Sequence, residues 1–558
     1  MKRFAFSLAP TLALLALLAP AAHTAPLPPV RDVGPVAAKP VKNSLPEGWQ
    51  RGPFMEIFVR AYQDSDGDGH GDLRGLIQRL DHLKELGVTG IWLMPVQQSQ
   101  DRDHGYATRD YRAIERDYGT LADFDALLKA AHARGIGVII DYVVNHGAWT
   151  HPTFLHAKSS PKSRYRDWYL WAEGQPPGWS IWDKHPWYPL AYECPQAQAA
   201  PEPPPEGVKK PRGGPSASCA PWTFKGELKD LPKGAGTHYY GTFGPHMPDF
   251  NLRRAEVFDW HLDNLRFWLN RGLNGFRLDA VPHLVETSAK DWNDQPISRR
   301  LTRRLVDQIE AYPRTYTVCE ATAEPVAWAS PEVCGSAFAF GLEGAVMDAV
   351  KGEKRDAVQR VADFFKTRPL HMATMLANHD IFAGHRIWDQ VKGDEARYRL
   401  AAASLLLLPG TPFLYYGEEI GQGGLTQLKG DFPIRGPMSW TAAGGFSRGT
   451  PFRPVSPNAA THNADAQRAH PGSLFHHYRQ LIALRKAQPA LHAGSYDNVQ
   501  VQGSLLRFER ATATQRLRVT LNYATEPATA PRQGRLLWVT PGGEGEHLPA
   551  WGARVEQL

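Results

Sequence analysis

Short apolar runs and longer amphipathic segments alternate along most of this chain. The apolar runs predict eight strands, at residues 55–60, 88–95, 136–143, 273–279, 315–320, 336–340, 371–377 and 411–416. Segments with helical spacing lie between or after them, at residues 73–86, 121–134, 255–271, 301–311, 356–365, 396–407 and 474–487. Strands that are apolar on both faces are typical of a parallel sheet covered by helices. Eight such units predict an α/β protein built on a closed (β/α)8 TIM barrel.

Two regions interrupt or follow this repeat. Residues 147–251, after the third strand, are rich in tryptophan and contain a proline-rich patch at 201–215, so we predict an inserted subdomain. Residues 491–558 change to a period of two, which predicts a small C-terminal β-sandwich. The barrel would then comprise residues 46–146 and 252–490.

The N-terminal region has the pattern of an export signal. Lys2 and Arg3 precede an apolar run and then small residues, so residues 1–25 are predicted to be a signal peptide and residues 26–45 a linker. No later stretch is long and apolar enough for a membrane anchor. We therefore expect a secreted or periplasmic protein, and we expect it to be a monomer.

The cysteine count agrees with an exported protein, and the net charge limits the class of binding partner. Four cysteines predict two local disulfides, Cys194–Cys219 and Cys319–Cys334, with free buried thiols as the alternative. The formal charge of +6 is small for 558 residues and contains no dense basic run. This distribution gives no electrostatic basis for binding nucleic acid.

Carboxylates mark the C-terminal ends of the predicted strands. Asp141, Asp279, Glu320 and Asp380 lie at these ends or just beyond them, which is where such barrels carry their chemistry. Arg277 falls on the same face of its strand as Asp279. Its charge should lower the pKa of Asp279 and keep the carboxylate ionised, as a nucleophile requires. The alternative is a buried Arg–Asp pair without chemistry.

A second acidic cluster lies in one loop. Carboxylates at alternate positions can converge on one hard cation, and interspersed glycines allow the sharp turn. The predicted calcium ligands are Asp64, Asp66, Asp68, His70 (through its backbone) and Asp72. The twelfth position is Gly75, where an EF-hand needs Glu, so a different type of calcium loop is expected. The alternative is a solvated acidic turn.

Five segments together carry a family resemblance. They are Asp-Tyr-Val-Val-Asn-His at 141–146, Met-Pro-Asp-Phe-Asn at 247–251, Gly-Phe-Arg-Leu-Asp-Ala-Val-Pro-His at 275–283, Val-Cys-Glu at 318–320 and Leu-Ala-Asn-His-Asp at 376–380. In this order, they resemble the signature segments of the α-amylase family, glycoside hydrolase family 13. The resemblance runs from about residue 51 to residue 491 and includes the segments at 104–106, 409–419 and 435–440.

The resemblance implies a role for each matching residue. Asp279 corresponds to the nucleophile, Glu320 to the general acid/base and Asp380 to the acid that stabilises the transition state. Further residues correspond to those that bind the sugar or orient the nucleophile: Tyr106, Asp141, His146, Arg277, His283 and His379. The loop at 64–72 resembles the calcium site of the oligosaccharide-active branch. Asn145 corresponds to a calcium ligand in typical α-amylases, with a structural role as the alternative.

The implied function is a retaining α-glucan hydrolase that cleaves α-1,4 bonds in starch fragments or malto-oligosaccharides. Pro282 replaces a lysine of typical α-amylases, and Met247 stands where strict α-glucosidases carry glutamine. An α-glucosidase, or a glucosyl transferase or isomerase of trehalose-synthase type, is therefore the alternative. A non-catalytic sugar-binding relative is a remote one, because such relatives usually lose a catalytic acid and all three acids are present.

Overall fold

The computed structural model describes residues 27–101, 103–190 and 236–558. Seven parallel strands form one sheet, in which the first five strands pair in chain order, the sixth pairs with the seventh, and the seventh returns to the first. These strands are Phe54–Ile57, Gly90–Leu93, Gly137–Val143, Gly275–Asp279, Tyr316–Cys319, Ala373–Thr374 and Thr411–Tyr415. The predicted α/β barrel is confirmed. The predicted signal peptide (1–25), the cysteines Cys194 and Cys219, and the patch at 201–215 lie outside the described residues.

The barrel closes through a very short sixth position. Parallel bridges join Cys319 to Ala337 and Phe338 to Ala373, so residues 337–338 occupy the place predicted for a strand at 336–340. Gly335 and Gly341 flank this position with φ of 78° and 97°. Turns at both ends thus limit the strand, since a left-handed residue cannot continue it.

Helices cover the outside of the barrel. The structure has helices Val59–Tyr62, Leu73–Leu86, Leu121–His132, Pro152–Ser159, Ala255–Leu269, Pro296–Glu310, Pro325–Trp328, Leu342–Lys351, Ala357–Phe364, Ile387–Gln390, Glu395–Leu407, Ala464–Ala469, Leu474–Ala487 and Pro489–Ala493. Helix Pro296–Glu310 begins five residues before the predicted start because Pro296 occupies its first turn, a position that favours proline. Among the helices of the described residues, none combines the length and hydrophobicity needed to cross a bilayer.

Smaller sheets accompany the barrel. Strands Gln97–Ser99 and Thr108–Ile114 pair beside it, and strands Trp171–Ala172, His238–Tyr240 and Trp187–Pro189 form a small sheet in the inserted region. The C-terminal part has an antiparallel sheet of Asp497–Gln502, Leu505–Ala511, Arg516–Asn522, Ala553–Gln557 and Arg535–Val539. Strands Ala528–Thr529 and His547–Leu548 pair separately, which completes the predicted β domain.

Residues 27–45, which the sequence predicts as a linker, form neither helix nor strand and lie along the barrel. The buried Asp32 carboxylate accepts the Tyr111 backbone N–H and lies 3.3 Å from Nε2 of His151. The Arg266 guanidinium donates to the Val36 carbonyl. The predicted Cys319–Cys334 disulfide is present.

Candidate active site

The strand ends bring the three predicted catalytic acids to one rim of the barrel. Asp279 is the last residue of the fourth strand, and Glu320 directly follows the fifth. Asp380 follows the sequence Asn378-His379, and its backbone N–H donates to Asn378 Oδ1 at 2.8 Å. The side chains of Asp279, Glu320 and Asp380 are 8%, 14% and 24% exposed. All three are therefore largely buried yet open to a ligand.

Arg277 holds three of the carboxylates together. Its Nη1 donates to Asp141 Oδ1 at 2.8 Å and also to Asp279 Oδ1, and its Nη2 lies 3.0 Å from Glu320 Oε2. A retaining glycosidase needs its two carboxyl groups about 5 Å apart. Two carboxylates bonded to opposite nitrogens of one guanidinium are compatible with that spacing. The geometry therefore suits one carboxylate that attacks and one carboxyl group that donates a proton.

The sequence predicts a lowered pKa for Asp279, and the structure shows surroundings that raise it instead. Burial, and after it the charges of Glu320 and Asp141, raise the pKa of Asp279 against the opposing attraction of Arg277. The sequence showed one guanidinium beside one carboxylate, whereas the structure places three carboxylates around that guanidinium. Burial and two neighbouring carboxylates thus favour the protonated form of Asp279 more strongly than one guanidinium disfavours it.

His379 is the centre of a second buried group. Its Nδ1 lies 2.6 Å from Glu56 Oε1, and its Nε2 lies 2.6 Å from the Tyr106 hydroxyl and 3.2 Å from Asp380 Oδ2. Tyr106 also donates to Asp141 Oδ2 at 2.8 Å, which joins this group to the Arg277 cluster. Burial alone would lower the pKa of His379, but Asp380 and Glu56 outweigh it and raise the pKa to about 10. The ring is therefore an imidazolium at neutral pH.

Asp380 is kept ionised by its partners. Burial raises its pKa, but His379 and Arg435 outweigh that effect and hold the pKa well below the usual range of an aspartate. Arg435 Nη2 lies 2.9 Å from Asp380 Oδ1, and Arg435 Nε donates to the His379 carbonyl at 2.7 Å. A permanently charged carboxylate at this place can stabilise positive charge on a sugar ring.

An ion-pair wall extends from Asp380 past Tyr106. Besides Asp380 and Arg435, it contains Arg453 and Asp103. Arg453 Nη1 donates to the Arg435 carbonyl at 3.0 Å, and its Nη2 lies 2.7 Å from Asp103 Oδ1. The side chains of Arg453 and Asp103 are only 9% and 5% exposed. This wall places two buried guanidinium–carboxylate pairs at the rim, one of them on Asp380 itself.

The turn after Asp279 also positions Glu320. Ala280 has φ 48° and ψ 32°, in the left-handed region that is costly for any residue other than glycine. In this conformation, its backbone N–H donates to Glu320 Oε2 at 2.9 Å. Pro282, the departure from typical α-amylases, then occupies the first turn of a 3₁₀ helix at Val281–His283.

His146 lies on the side of the inserted region. Burial lowers the pKa of His146 to about 3, so the ring is neutral. Its Nε2 is buried without a hydrogen-bond partner among the described residues. The neighbouring Asn145 donates from Nδ2 to Asp249 Oδ2 at 2.9 Å, and Thr242 donates to the same carboxylate. This bond gives Asn145 a structural contact with the inserted region.

An aromatic cluster borders His146. It consists of Trp182 and Phe243 from the inserted region, with His283 and Trp292 from the loop after the fourth strand. The His283 and Trp292 rings are stacked at 5.4 Å, and Trp182 lies 5.5–5.6 Å from each of the other three rings. Trp182 is 56% exposed, unlike the buried tryptophans of the core.

The predicted metal loop forms a separate site. Asp64, Asp66 and Asp72 have carboxylate oxygens within 4.8 Å of one another, as one hard cation requires. The Asp68 carboxylate is not in this group; its Oδ1 accepts the His70 backbone N–H at 2.9 Å. The three converging carboxylates are chemically suited to Ca²⁺.

Sequence reasoning missed Glu56 as the partner of His379, and missed Arg453 and Asp103. Glu56 had a recognisable signal, since it is a lone charge within an apolar strand that is buried along its whole length. The Arg453–Asp103 pair had none, because the two residues are 350 positions apart in loops.

Comparisons with known proteins agree on one family. The model for the alpha-amylase catalytic domain matches residues 56–494. The trehalose synthase/amylase TreS of Mycolicibacterium smegmatis is 31% identical over 493 residues, covering 79% of this chain and 77% of that protein. A probable alpha-glucosidase of Rhizobium meliloti is 30% identical, covering 91% and 97%. The crystal structure of an alpha-amylase from H. orenii superposes with a TM-score of 0.71 at 30% identity, covering 91% and 99%. The chain therefore belongs to the α-amylase family of glucoside-active enzymes, glycoside hydrolase family 13.

Proposed function

We propose that the protein is a retaining α-glucosidase for short α-glucosides that also transfers the glucosyl group to a second sugar. Asp279 attacks the anomeric carbon while Glu320 protonates the leaving oxygen, which gives a covalent glucosyl-enzyme and a free sugar. Glu320 then takes a proton from water, or from an acceptor hydroxyl, as that oxygen attacks the anomeric carbon and displaces Asp279.

The surrounding groups have defined tasks in this scheme. The ionised Asp380 stabilises the positive charge that develops on the sugar ring in the transition state. The His379 imidazolium can only donate hydrogen bonds, and the neutral His146 ring offers its unpartnered Nε2 to a sugar hydroxyl. Tyr106 provides an aromatic face for the same ring.

The ion-pair wall is the observation that supports a short substrate. A cleft for a long glucan must continue past the cleaved sugar on both sides, and the wall occupies the rim beside Tyr106 and Asp380. The expectation of an α-1,4 amylase is correspondingly less well supported than its alternative. The relatives named trehalose synthase and probable alpha-glucosidase favour the same alternative.

Chain-length preference tests the proposal. We expect kcat/KM to be highest for di- and trisaccharides and lower by about tenfold or more for maltoheptaose, with glucose released from chain ends. Arg453→Gln should reduce the difference in kcat/KM between maltose and maltoheptaose. Arg355 is exposed and forms no ion pair within the described residues, so Arg355→Gln should leave that difference unaltered. Internal cleavage of maltoheptaose at a higher kcat/KM than maltose would refute the proposal.

A trehalose-synthase-type isomerase is the second candidate, favoured by the aromatic cluster. Stacked aromatic rings beside the cleaved bond can retain the leaving glucose long enough for it to be glucosylated again through another hydroxyl. Incubation with maltose alone separates the two candidates: an isomerase accumulates trehalose, and a glucosidase accumulates glucose.

We also propose that Ca²⁺ occupies the loop of Asp64, Asp66 and Asp72 and that the protein is exported. The converging carboxylates support the first proposal. The signal-like segment at 1–25, together with the Cys319–Cys334 disulfide, supports the second, because disulfides persist in oxidising compartments. Cell fractionation would test export: activity confined to the cytoplasm of the producing cells would contradict it.

A further inference from the structure

A large cavity lies at the end of the barrel opposite the catalytic acids. It has a volume of about 1240 Å³ and is lined by residues at the N-terminal ends of barrel strands, including Gly52, Thr89 and Tyr316. Asp279 and Glu320, by contrast, lie at C-terminal strand ends. We call this the basal cavity, and nothing in the proposed reaction uses it.

The charge of the basal cavity is strongly one-sided. Six cationic side chains line it: Arg51, Lys84, Arg134, Arg314, Arg485 and Lys486. Glu47 is the one carboxylate among the described lining residues. The whole chain has a net charge of only +6, so this concentration of cations does not reflect the average surface.

Most of these cations have no carboxylate partner. Arg134 pairs with Asp81 at 2.7 Å, whereas the other five form no ion pair within the described part of the chain. The buried Arg485 donates to the carbonyls of Leu406 and Leu408, and its Nε has no acceptor. Lys486 donates to the Gly87 carbonyl at 3.2 Å. Carbonyls satisfy donors but leave the positive charges uncompensated.

Burial and positive neighbours disfavour the charged forms of two groups that line the cavity. Burial, and after it the charge of Arg510, lowers the pKa of Arg485 to about 9. Burial, Arg485 and Arg51 lower the pKa of His492, whose Nδ1 is also buried without a partner. An anion in the cavity would remove this repulsion and accept hydrogen bonds from these donors.

We propose that the basal cavity binds an oxyanion, a phosphate or sulfate group, free or carried by a small molecule. Guanidinium and ammonium groups that line one cavity can recognise such anions. The volume exceeds that of a single inorganic anion and would accommodate a larger molecule that carries one. Binding here is independent of the glucoside chemistry at the other end of the barrel.

Calorimetric titration of the full chain with inorganic phosphate, at constant ionic strength in chloride, tests the proposal. We expect saturable binding that weakens by about tenfold or more in the double variant Arg51→Gln/Lys486→Gln. Arg479→Gln is the matched control, since it lies on the same helix, outside the cavity, and pairs with Glu85. Arg485 is left intact because it supports the fold through its carbonyl contacts.

Fructose 1,6-bisphosphate is the second probe. If the natural ligand is a small molecule that carries the anion, this probe should bind more tightly than phosphate; if the ligand is a free anion, the two probes should bind equally well. The absence of saturable binding of either probe, or equal affinity in the double variant and the wild type, would overturn the proposal. Maltose hydrolysis should be unchanged in all these variants. A failure of the proposed function would therefore appear in that assay and not in the phosphate titration.

Discussion

A single guanidinium organises the chemistry at the residue scale. Arg277 contacts Asp141, Asp279 and Glu320, so each carboxylate senses the charge of the other two. Burial, and after it these neighbouring charges, raise the pKa of Asp279, so the expectation based on one Arg–Asp pair was wrong. The arrangement still serves a retaining enzyme, because such an enzyme begins with one proton on its pair of carboxyl groups.

His379 should make stability depend on pH in the alkaline range. Its pKa is about 10 in the folded protein and about 6.5 when unfolded, so the folded state binds the proton more tightly. The resulting stabilisation is complete below about pH 6.5 and is lost as the pH rises towards 10. Glu56→Gln removes one partner, which lowers the pKa of His379. The fall in the free energy of unfolding should then be smaller and should end at a lower pH.

Denaturant unfolding between pH 6 and pH 10 would measure this effect. Glu353→Gln, an exposed change, is the control and should reproduce the wild-type profile. A Glu56→Gln profile parallel to that of the wild type would contradict the assigned partnership.

The weakest element of the barrel lies next to the general acid. Only two bridges, Cys319–Ala337 and Phe338–Ala373, join the fifth, sixth and seventh positions within the described structure. The Cys319–Cys334 disulfide links the fifth strand to the segment that enters this seam. A disulfide that closes a loop of about 15 residues contributes about 3 kcal/mol to stability.

Replacing both cysteines should therefore lower the melting temperature by several degrees. We expect Cys319→Ser/Cys334→Ser to retain kcat at 20 °C within about threefold, because the disulfide lies beside Glu320 without contacting it. Scanning calorimetry and maltose hydrolysis measure the two quantities. An unchanged melting temperature would contradict this prediction, because the bridges alone would then hold the fifth, sixth and seventh positions of the barrel together.

The acidic loop should make stability depend on calcium. At a Ca²⁺ concentration of about 100 times Kd, binding would add about 2.7 kcal/mol to the free energy of unfolding. EDTA should therefore lower the melting temperature of the wild type but not that of Asp66→Asn. Asp68→Asn is the matched control, because Asp68 lies outside the converging group. A loss of the EDTA effect in Asp68→Asn, with its retention in Asp66→Asn, would contradict the proposed ligands Asp64, Asp66 and Asp72.

At the scale of the whole molecule, separate parts of the chain meet at the aromatic cluster. Trp182 comes from the inserted region, while His283 and Trp292 follow the fourth strand. Trp182→Ala should lower the ratio of transfer to hydrolysis by about fivefold, because the acceptor sugar loses a stacking surface worth about 1 kcal/mol. Product analysis at high maltose concentration gives this ratio, and Trp179→Ala is the control within the same region. A ratio unchanged by Trp182→Ala would exclude this tryptophan from acceptor binding.

The sequence predicts the barrel and its acids well because both depend on local pattern. Apolar runs mark the buried strands, and Asp279 and Glu320 mark their ends. What depends on contacts between distant residues was not predictable. The Arg453–Asp103 pair joins loops far apart in the chain, and the pKa of Asp279 depends on how many carboxylates surround Arg277. The length of the sixth strand was overestimated. Its apolar residues suggest a full strand, but Gly335 and Gly341 form turns that end it on both sides.

The identity of the nucleophile is the central claim, and covalent trapping tests it most directly. A fluorinated α-glucosyl fluoride that forms the glucosyl-enzyme faster than water hydrolyses it should add one sugar to the protein. Peptide mass spectrometry should place that sugar on Asp279, and Glu320→Gln should still be labelled because the fluoride leaving group needs no protonation. A sugar found on another residue, or an active enzyme that is never labelled, would contradict the account.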